Sequence, residues 1–293
     1  MKSFFEKPKP TLSFEIFPPK GEGKLNTIFE TIDALASLTP DLISVTYGAA
    51  GTSREYTAEI ASKIQNSYSI PAVAHLTCVG STKEQMRETL SDIKAKNIKN
   101  ILALRGDLSE ETQLSDFHYA SDLIKFIKEE HYDFKIFAGC YPEKHTEALT
   151  PNDDLINLKK KTDCGVDVLI SQLFFDNDLF YKFRDNAISI GINTPIEAGI
   201  MPITSGKQIE RIVSLCGASL PLKVQNLIKT YSHNSMAMKE AGIAYATAQI
   251  IDLLANGVEG IHLYTMNRPE IAKRIAENLR GILYSLRIKR GEK

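Results

Sequence analysis

Eight short runs of apolar and β-branched residues recur along this chain, alternating with stretches of helical periodicity. The runs are LSFEIF (12–17), LISVTY (42–47), AVAHLTC (72–78), ILALRG (101–106), KIFAGCY (135–141), VLISQLFF (168–175), IEAGIMPI (196–203) and GIHLYTM (260–266). Nearly continuous apolar runs of this length suit parallel strands covered on both faces. Amphipathic segments fall at 27–38, 84–95, 122–130, 153–162, 179–188 and 207–215. One extra long helix is expected at 236–254, before the last strand, and a final helix runs from Pro269 to about 288. Ile28, Ile32, Leu35 and Leu38 share a face of the first segment, Ser81–Thr82 offers an N-cap to the second, and Pro269 suits a first helical turn.

This alternation predicts an α/β chain folded as a single (β/α)8 TIM-type barrel over residues 1–293, with an extra helix before the last strand. A doubly wound sheet would carry a glycine-rich phosphate loop after a strand. The nearest candidate, Gly48-Ala-Ala-Gly51, lacks the GxGxxG spacing. Residues 204–206 read as an ordinary turn after a strand. Residues 219–235 read as a long connection and the best candidate for a mobile loop.

With 35 Lys+Arg against 36 Asp+Glu in 293 residues, the chain has no charge excess to recruit nucleic acid or an anionic membrane. The basic stretch 286–293 reads as a solvated helix end. The opening MKSFFEKPKP has no apolar core of a signal segment, and no run approaches the roughly 20 apolar residues of a membrane span. Cys78, Cys140, Cys164 and Cys216 are scattered and form no CxxC pair, so disulfides are not expected and the cytoplasm is the default compartment. Cys78 and Cys140 end apolar runs, which suits lining thiols better than reactive ones.

A barrel of this kind keeps its chemistry at the C-terminal ends of its strands. Here nearly every run delivers a polar group there: Glu15, Thr46 and Tyr47, His75 and Thr77, Arg105 and Asp107, Tyr141 and His145, Gln172, and Tyr264, Asn267 and Arg268. A purely structural barrel has no need of this. Glu15 lies between Phe14 and Ile16, where an unpartnered carboxylate is costly. It is either paired structurally or kept protonated for acid catalysis. Asp107, taken alone, reads as a loop cap. His75, His145 and His262 raise the question of a metal, but the His-x-His pair of metal-dependent barrel hydrolases is missing from the first strand, and no metal is expected. Lys159, Lys160 and Lys161 read as a solvated helix face unless a phosphate lies nearby.

Taken in order, the strand-end motifs resemble the methylenetetrahydrofolate reductase family along nearly the whole chain. They are Ser13-Phe-Glu-Ile-Phe-Pro-Pro-Lys20, Val45-Thr-Tyr-Gly-Ala49, His75-Leu-Thr-Cys78, Ala103-Leu-Arg-Gly-Asp107, Tyr141-Pro-Glu-Lys-His145, Gln172-Leu-Phe-Phe-Asp176, Gly199-Ile-Met-Pro202 and His262-Leu-Tyr-Thr-Met-Asn-Arg268. Any one is weak; eight in order are specific. The resemblance implies a flavin-binding barrel that uses FAD and takes methylenetetrahydrofolate and NADH (or NADPH) as substrates, in a homo-oligomer. It implies Glu15 as general acid and Asp107 as the carboxylate between flavin and pterin. Gln172, Gln208, Tyr264 and Arg268 match folate positions. Thr46, Tyr47, Ala49, His75, Arg105, Gly106, Asp107, Ala120, Tyr141, His145, Asp154, Asn157, Lys160 and Lys161 match flavin positions, which turns the lysine run into a candidate diphosphate clamp.

Two departures bear on the cofactors. Ile212 stands where some bacterial relatives carry a Phe over the nicotinamide, so the electron donor is open between NADH, NADPH and a protein. Lys160 stands where relatives carry Arg, keeping charge but losing the fork geometry. The rival readings are a flavin-free pterin-binding barrel, such as a folate-dependent methyltransferase, and a non-catalytic partner descended from a reductase. The presence of Glu15, Asp107 and Gln172 together argues against the latter.

Overall fold

The computed structural model describes residues 10–19, 25–47, 54–108 and 115–291. Lys20 and Ala49 of the expected motifs lie outside these residues. In chain order the first elements are β1 (Thr11–Ile16), α1 (Leu25–Ala36), β2 (Leu42–Val45), α2 (Arg54–Ser67), β3 (Ala72–Thr77), α3 (Lys83–Ala95), β4 (Asn100–Leu104), α4 (Ala120–Glu129) and β5 (Lys135–Cys140). Then come α5 (Pro151–Thr162), β6 (Val168–Ser171), α6 (Asn177–Ser189), β7 (Ile196–Ile200), α7 (Gly206–Cys216), α8 (Leu222–Tyr231), α9 (Ser235–Ala255), β8 (Gly260–Tyr264) and α10 (Pro269–Gly291). The eight strands close into a barrel in the order β1 to β8. The expected (β/α)8 architecture is thus the observed one.

Side chains alternate across each strand. In β1, Leu12, Phe14 and Ile16 are buried on one face, while Thr11, Ser13 and Glu15 occupy the other. Register aligns Glu15 with Ser44 on β2, and Ser44 with Val73 on β3. The same pattern on β7 and β8 aligns Glu197 with Gly260 and Gly199 with His262.

The described residues divide into two compact units. One comprises Ser13–Gly139 with Lys160–Leu169. Within it, α3 begins at the expected cap: Thr82 Oγ1 accepts from the Gln85 N–H, and Gln85 Oε1 accepts from the Thr82 N–H. The helix α2 is an element the sequence reading did not single out. Its apolar residues Ala58, Ile60, Ala61 and Ile64 are buried in an otherwise polar stretch, too few for a clear stripe.

The other unit comprises Cys140–Lys159 and the chain from Ile170 onward, with the start of β1. It holds a correction. Residues 219–235 are not a long loop, because α8 occupies Leu222–Tyr231. Val224 and Ile228 are buried in a cluster with Met201, Ile203, Ile209 and Met238. Spaced four apart, they form one narrow apolar seam, whose periodicity the exposed Leu222 and Tyr231 of the same helix blur. The extra helix α9 is present as expected. Gly242 on α9 lies against the Ile203 carbonyl, where an added Cβ would stand 1.7 Å from the oxygen. No helix among the described residues is long and apolar enough to cross a membrane.

These glycines predict opposite mutational signs. Gly242→Ala should destabilise by about 1–3 kcal/mol, because displacing backbone outweighs the gain in helix propensity. Gly281→Ala on α10, where nothing lies within 4 Å of the new methyl, should stabilise by up to about 1 kcal/mol. Urea unfolding midpoints of the two variants measure both.

Candidate active site

In the first unit, the ends of β1 and β3 bring Glu15 and His75 together. Glu15 Oε2 lies 3.6 Å from His75 Nε2, with the side chains 19% and 6% exposed. They meet across β2, where the residue aligned with Glu15 is the small, buried Ser44. Glu15 therefore has a polar neighbour yet keeps some access to a bound molecule. Thr46 directly follows β2; its N–H donates to the Ile16 carbonyl at 2.9 Å, and its carbonyl accepts from Thr57 Oγ1 at 3.0 Å. Tyr47 beside it is half-buried.

Pairing continues beyond the ends of β3 and β4. The Cys78 and Val79 N–H groups donate to the Arg105 carbonyl at 3.2 and 2.8 Å. Gly106 then turns the chain at φ +93°, and a Cβ there would meet Val79 Cγ1 at 2.7 Å. Both the dihedral and the room require glycine. Arg105, half-buried, and Asp107, exposed, leave either side of this fixed turn. Ala120 begins α4, whose first turn is capped by Asp122 accepting from the His118 and Tyr119 N–H groups. Lys161 Nζ donates to the Gly139 carbonyl at 2.6 Å, holding an ammonium at the end of β5, while Lys160 is exposed. Asp154 and Asn157, three apart on α5, belong to the second unit.

In the second unit, Tyr141 and His145 pack edge to face with ring centroids 4.7 Å apart. His145 Nδ1 accepts from the Glu147 N–H at 3.1 Å, so the proton of the neutral ring belongs on Nε2, which becomes a donor. Lys144 is left-handed at φ 91°, and Glu143 accepts from the Ser219 N–H, tying this loop to the segment before α8.

Gln172 follows β6. Its Oε1 accepts from the Leu173 N–H at 2.9 Å, which turns the NH2 end outward as a donor. Tyr264 donates its hydroxyl to the Ser171 carbonyl at 2.7 Å. Arg268 follows two consecutive left-handed residues, Met266 (φ 53°) and Asn267 (φ 54°), and its Nη1 donates to Thr204 Oγ1 at 3.0 Å. Backbone strain of this kind is concentrated at binding sites, where neighbours hold it in place. Gln208 sits in the first turn of α7, its N–H donating to the cap Ser205. Ile212 is packed against the cluster beneath α8.

Three supporting residues escaped the sequence reading. Ser171 Oγ donates to the Gln172 carbonyl and accepts from the Gly199 N–H. Thr204, read as turn material, is the partner of Arg268. Glu197 is 2% exposed on β7. Its signal was available: an acid within an apolar run, as for Glu15.

Comparisons with known proteins identify the family of the chain. The family model for methylenetetrahydrofolate reductase matches residues 1–280. The chain belongs to the methylenetetrahydrofolate reductase family. The 5,10-methylenetetrahydrofolate reductase of Pectobacterium carotovorum subsp. carotovorum is 37% identical over 92% of this chain and 89% of its own length. The enzyme of the same name from Escherichia coli K12 is 35% identical over 92% and 90%. The Arabidopsis thaliana methylenetetrahydrofolate reductase (NADH) 1 is 37% identical over 99% of this chain but 51% of its own length, so the chain spans about half of that plant relative. Among solved structures, an uncharacterized protein from Clostridium thermocellum has the same fold, with a TM-score of 0.68 at 14% identity over 96% of this chain and 97% of its own.

The thiol of Cys78, just beyond β3, is buried. Burial, and then the charge of Asp122, push Cys78 from 9.0 up to about 12. The folded state holds this proton more tightly than the unfolded chain. The stability it contributes is complete below pH 9 and lost as pH rises towards 12. Iodoacetamide at pH 8 should spare Cys78 in the native protein and label it in urea. Labelling at the unfolded rate without urea would contradict this placement.

Proposed function

We propose that this chain reduces 5,10-methylenetetrahydrofolate to 5-methyltetrahydrofolate, with FAD as its bound carrier and NADH or NADPH supplying the electrons. The observation that carries the reading is Glu15, half-buried beside His75 at the strand ends of a chain in this family.

The residues present suit a flavin dinucleotide. In the first unit Arg105, Lys160 and Lys161 are cationic, as a diphosphate requires, and Gly106 fixes the turn that presents Arg105. Thr46, Tyr47, His75 and Ala120 are the remaining expected contacts there. In the second unit His145 offers an Nε2 donor, Tyr141 an aromatic face, and Asp154 and Asn157 polar groups suited to hydroxyls. The flavin, when bound, supplies hydride to the folate carbon.

The chain's own groups deal with the substrate. The methylene carbon bridges two nitrogens in a five-membered ring and resists hydride until that ring opens. Glu15, protonated, delivers its proton towards the leaving nitrogen, directly or through water. Ring opening leaves an iminium cation on the folate. Asp107 accepts from the donor edge of the pterin and stabilises that positive charge. Gln172 contributes its outward NH2, and Gln208, Tyr264 and Arg268 hold the remainder of the folate. Ile212 in place of an aromatic cover leaves the choice between NADH and NADPH to be read from comparative kinetics. Scattered free thiols and family membership support a cytoplasmic homo-oligomer, which sedimentation velocity tests.

A visible spectrum of the purified protein, then anaerobic addition of NADH and of methylenetetrahydrofolate, tests the reading as a whole. Glu15→Gln should leave reduction by NADH near the wild-type rate and slow reoxidation by the folate by at least about 10²-fold, the low end for a general acid. Wild-type folate turnover in that variant with flavin retained would make Glu15 a structural carboxyl. Asp107→Asn should weaken folate binding and slow the folate step more than the NADH step, since only the former develops positive charge beside it. Equal slowing of both in stopped flow would remove Asp107 from this role.

A further inference from the structure

Two glycines in the second unit stand where side chains from other strands cross. A Cβ on Gly199 of β7 would lie 2.1 Å from the Ser171 carbonyl and 2.8 Å from the Tyr264 ring and hydroxyl. Tyr264 therefore reaches from β8 over β7 to β6. A Cβ on Gly260 of β8 would lie 2.3 Å from Thr11 Oγ1 and 2.7 Å from Glu197 Oε1. Glu197 reaches from β7 over β8 to β1, where Oε1 accepts from Thr11 Oγ1 at 2.6 Å. His262 lies between these two crossings. It is wholly buried, with Nδ1 3.8 Å from Glu197 Oε2 and its ring perpendicular to that of Tyr264 at 5.4 Å between centroids.

The result is a continuous polar column, Thr11–Glu197–His262–Tyr264–Ser171, from the first residue of β1 to the end of β8. A buried acid–imidazole pair adds little stability over apolar filling of the same volume. What it supplies is direction: a carboxylate fixed by Thr11 selects one orientation of His262, where an apolar side chain would accept several. Tyr264 is in turn pinned by the His262 ring, by its bond to Ser171 and by the space above Gly199. Its hydroxyl proton is committed to Ser171, so the ring is the part left to meet a ligand.

We propose that Glu197 and His262 are positioning residues for the reaction, acting through Tyr264 to set the ring surface on which the folate rests. This inference rests on the reading of the substrate given above. An interaction that holds the folate equally before and during the reaction acts on its affinity, so its loss raises KM and leaves kcat unchanged, and the NADH half-reaction, which involves no folate, serves as the control.

The test uses the flavin-loaded holoenzyme and the variants His262→Asn, Glu197→Gln and Tyr264→Ala, with the double variants that combine each of the first two with the third. Steady-state kinetics with methylenetetrahydrofolate, stopped-flow reduction by NADH and calorimetric titration with 5-methyltetrahydrofolate are measured for each. In His262→Asn the folate KM and the dissociation constant should rise about 10-fold, with kcat and the NADH rate within about 3-fold of wild type. Added to Tyr264→Ala, the same change should cost less than about 2-fold, because the ring it positions is gone. Should His262→Asn not fold, Glu197→Gln carries the test, since it keeps the size and the Thr11 bond while removing the charge. Equal effects on both half-reactions, or effects that simply add to those of Tyr264→Ala, would make the column structural and overturn the proposal. A wild type that turns over folate alongside unchanged single variants would overturn this inference alone. A wild type inert towards folate would overturn the functional reading and this inference with it.

Discussion

Closing eight parallel strands into a barrel gives the inner faces a small, fixed volume that their side chains must fill. In most barrels branched apolar residues fill it. Here much of the inward face is polar: Thr11, Ser13 and Glu15 on β1, Ser44 on β2, His75 on β3, Ser171 on β6, Glu197 on β7 and His262 on β8. Such groups are tolerable only when they meet one another. Small residues on intervening strands allow the meetings. Ser44 lies on the strand between Glu15 and His75, Gly199 makes room for Tyr264, and Gly260 makes room for Glu197 and Thr11. The outward faces, with Phe14, Ile16, Ile43 and Val45 fully buried, carry the apolar burial that holds the helices.

This division of labour connects stability to function. Apolar residues on one face of each strand make the barrel rigid. The rim then inherits that rigidity through fixed turns: Gly106 after β4, Lys144 after β5, and Met266–Asn267 after β8. Glycine adopts its turn freely, whereas Lys144, Met266 and Asn267 hold left-handed conformations that cost free energy in isolation and are sustained by their surroundings. Arg105, His145 and Arg268, which adjoin these turns, thereby have their backbone positions set by the fold.

In the second unit, helices α8 and α9 between β7 and β8 support the chain that follows β7. Val224 and Ile228 of α8 and Met238 of α9 bury the same cluster that includes Met201 and Ile203 beyond β7. The close approach of Gly242 to the Ile203 carbonyl fixes the chain just before Thr204, the partner of Arg268. A methyl group added at Gly242 would therefore be felt at the arginine.

The strands, their order and their parallel pairing were legible in the sequence, because burial on both faces forces continuous apolar runs whatever the partner. Polar residues at the strand ends were also visible, since an acid or histidine in such a run is conspicuous, and the family motifs suggest the roles proposed for them. The cap at Thr82, the start of α10 at Pro269 and the long α9 also followed from local chemistry. Helices α2 and α8 were not legible: the buried residues of α2 lie in a polar stretch, and in α8 the exposed Leu222 and Tyr231 blur the periodicity, so tertiary contact decides both. Which inward side chains meet was decided only by closure. Thr11 and Glu197 are separated by 186 positions and bond at 2.6 Å, because β1 and β7 flank β8 and Gly260 leaves the space between them empty. Sequence spacing carries no trace of such a contact. It arises because the barrel brings the first strand back beside the last.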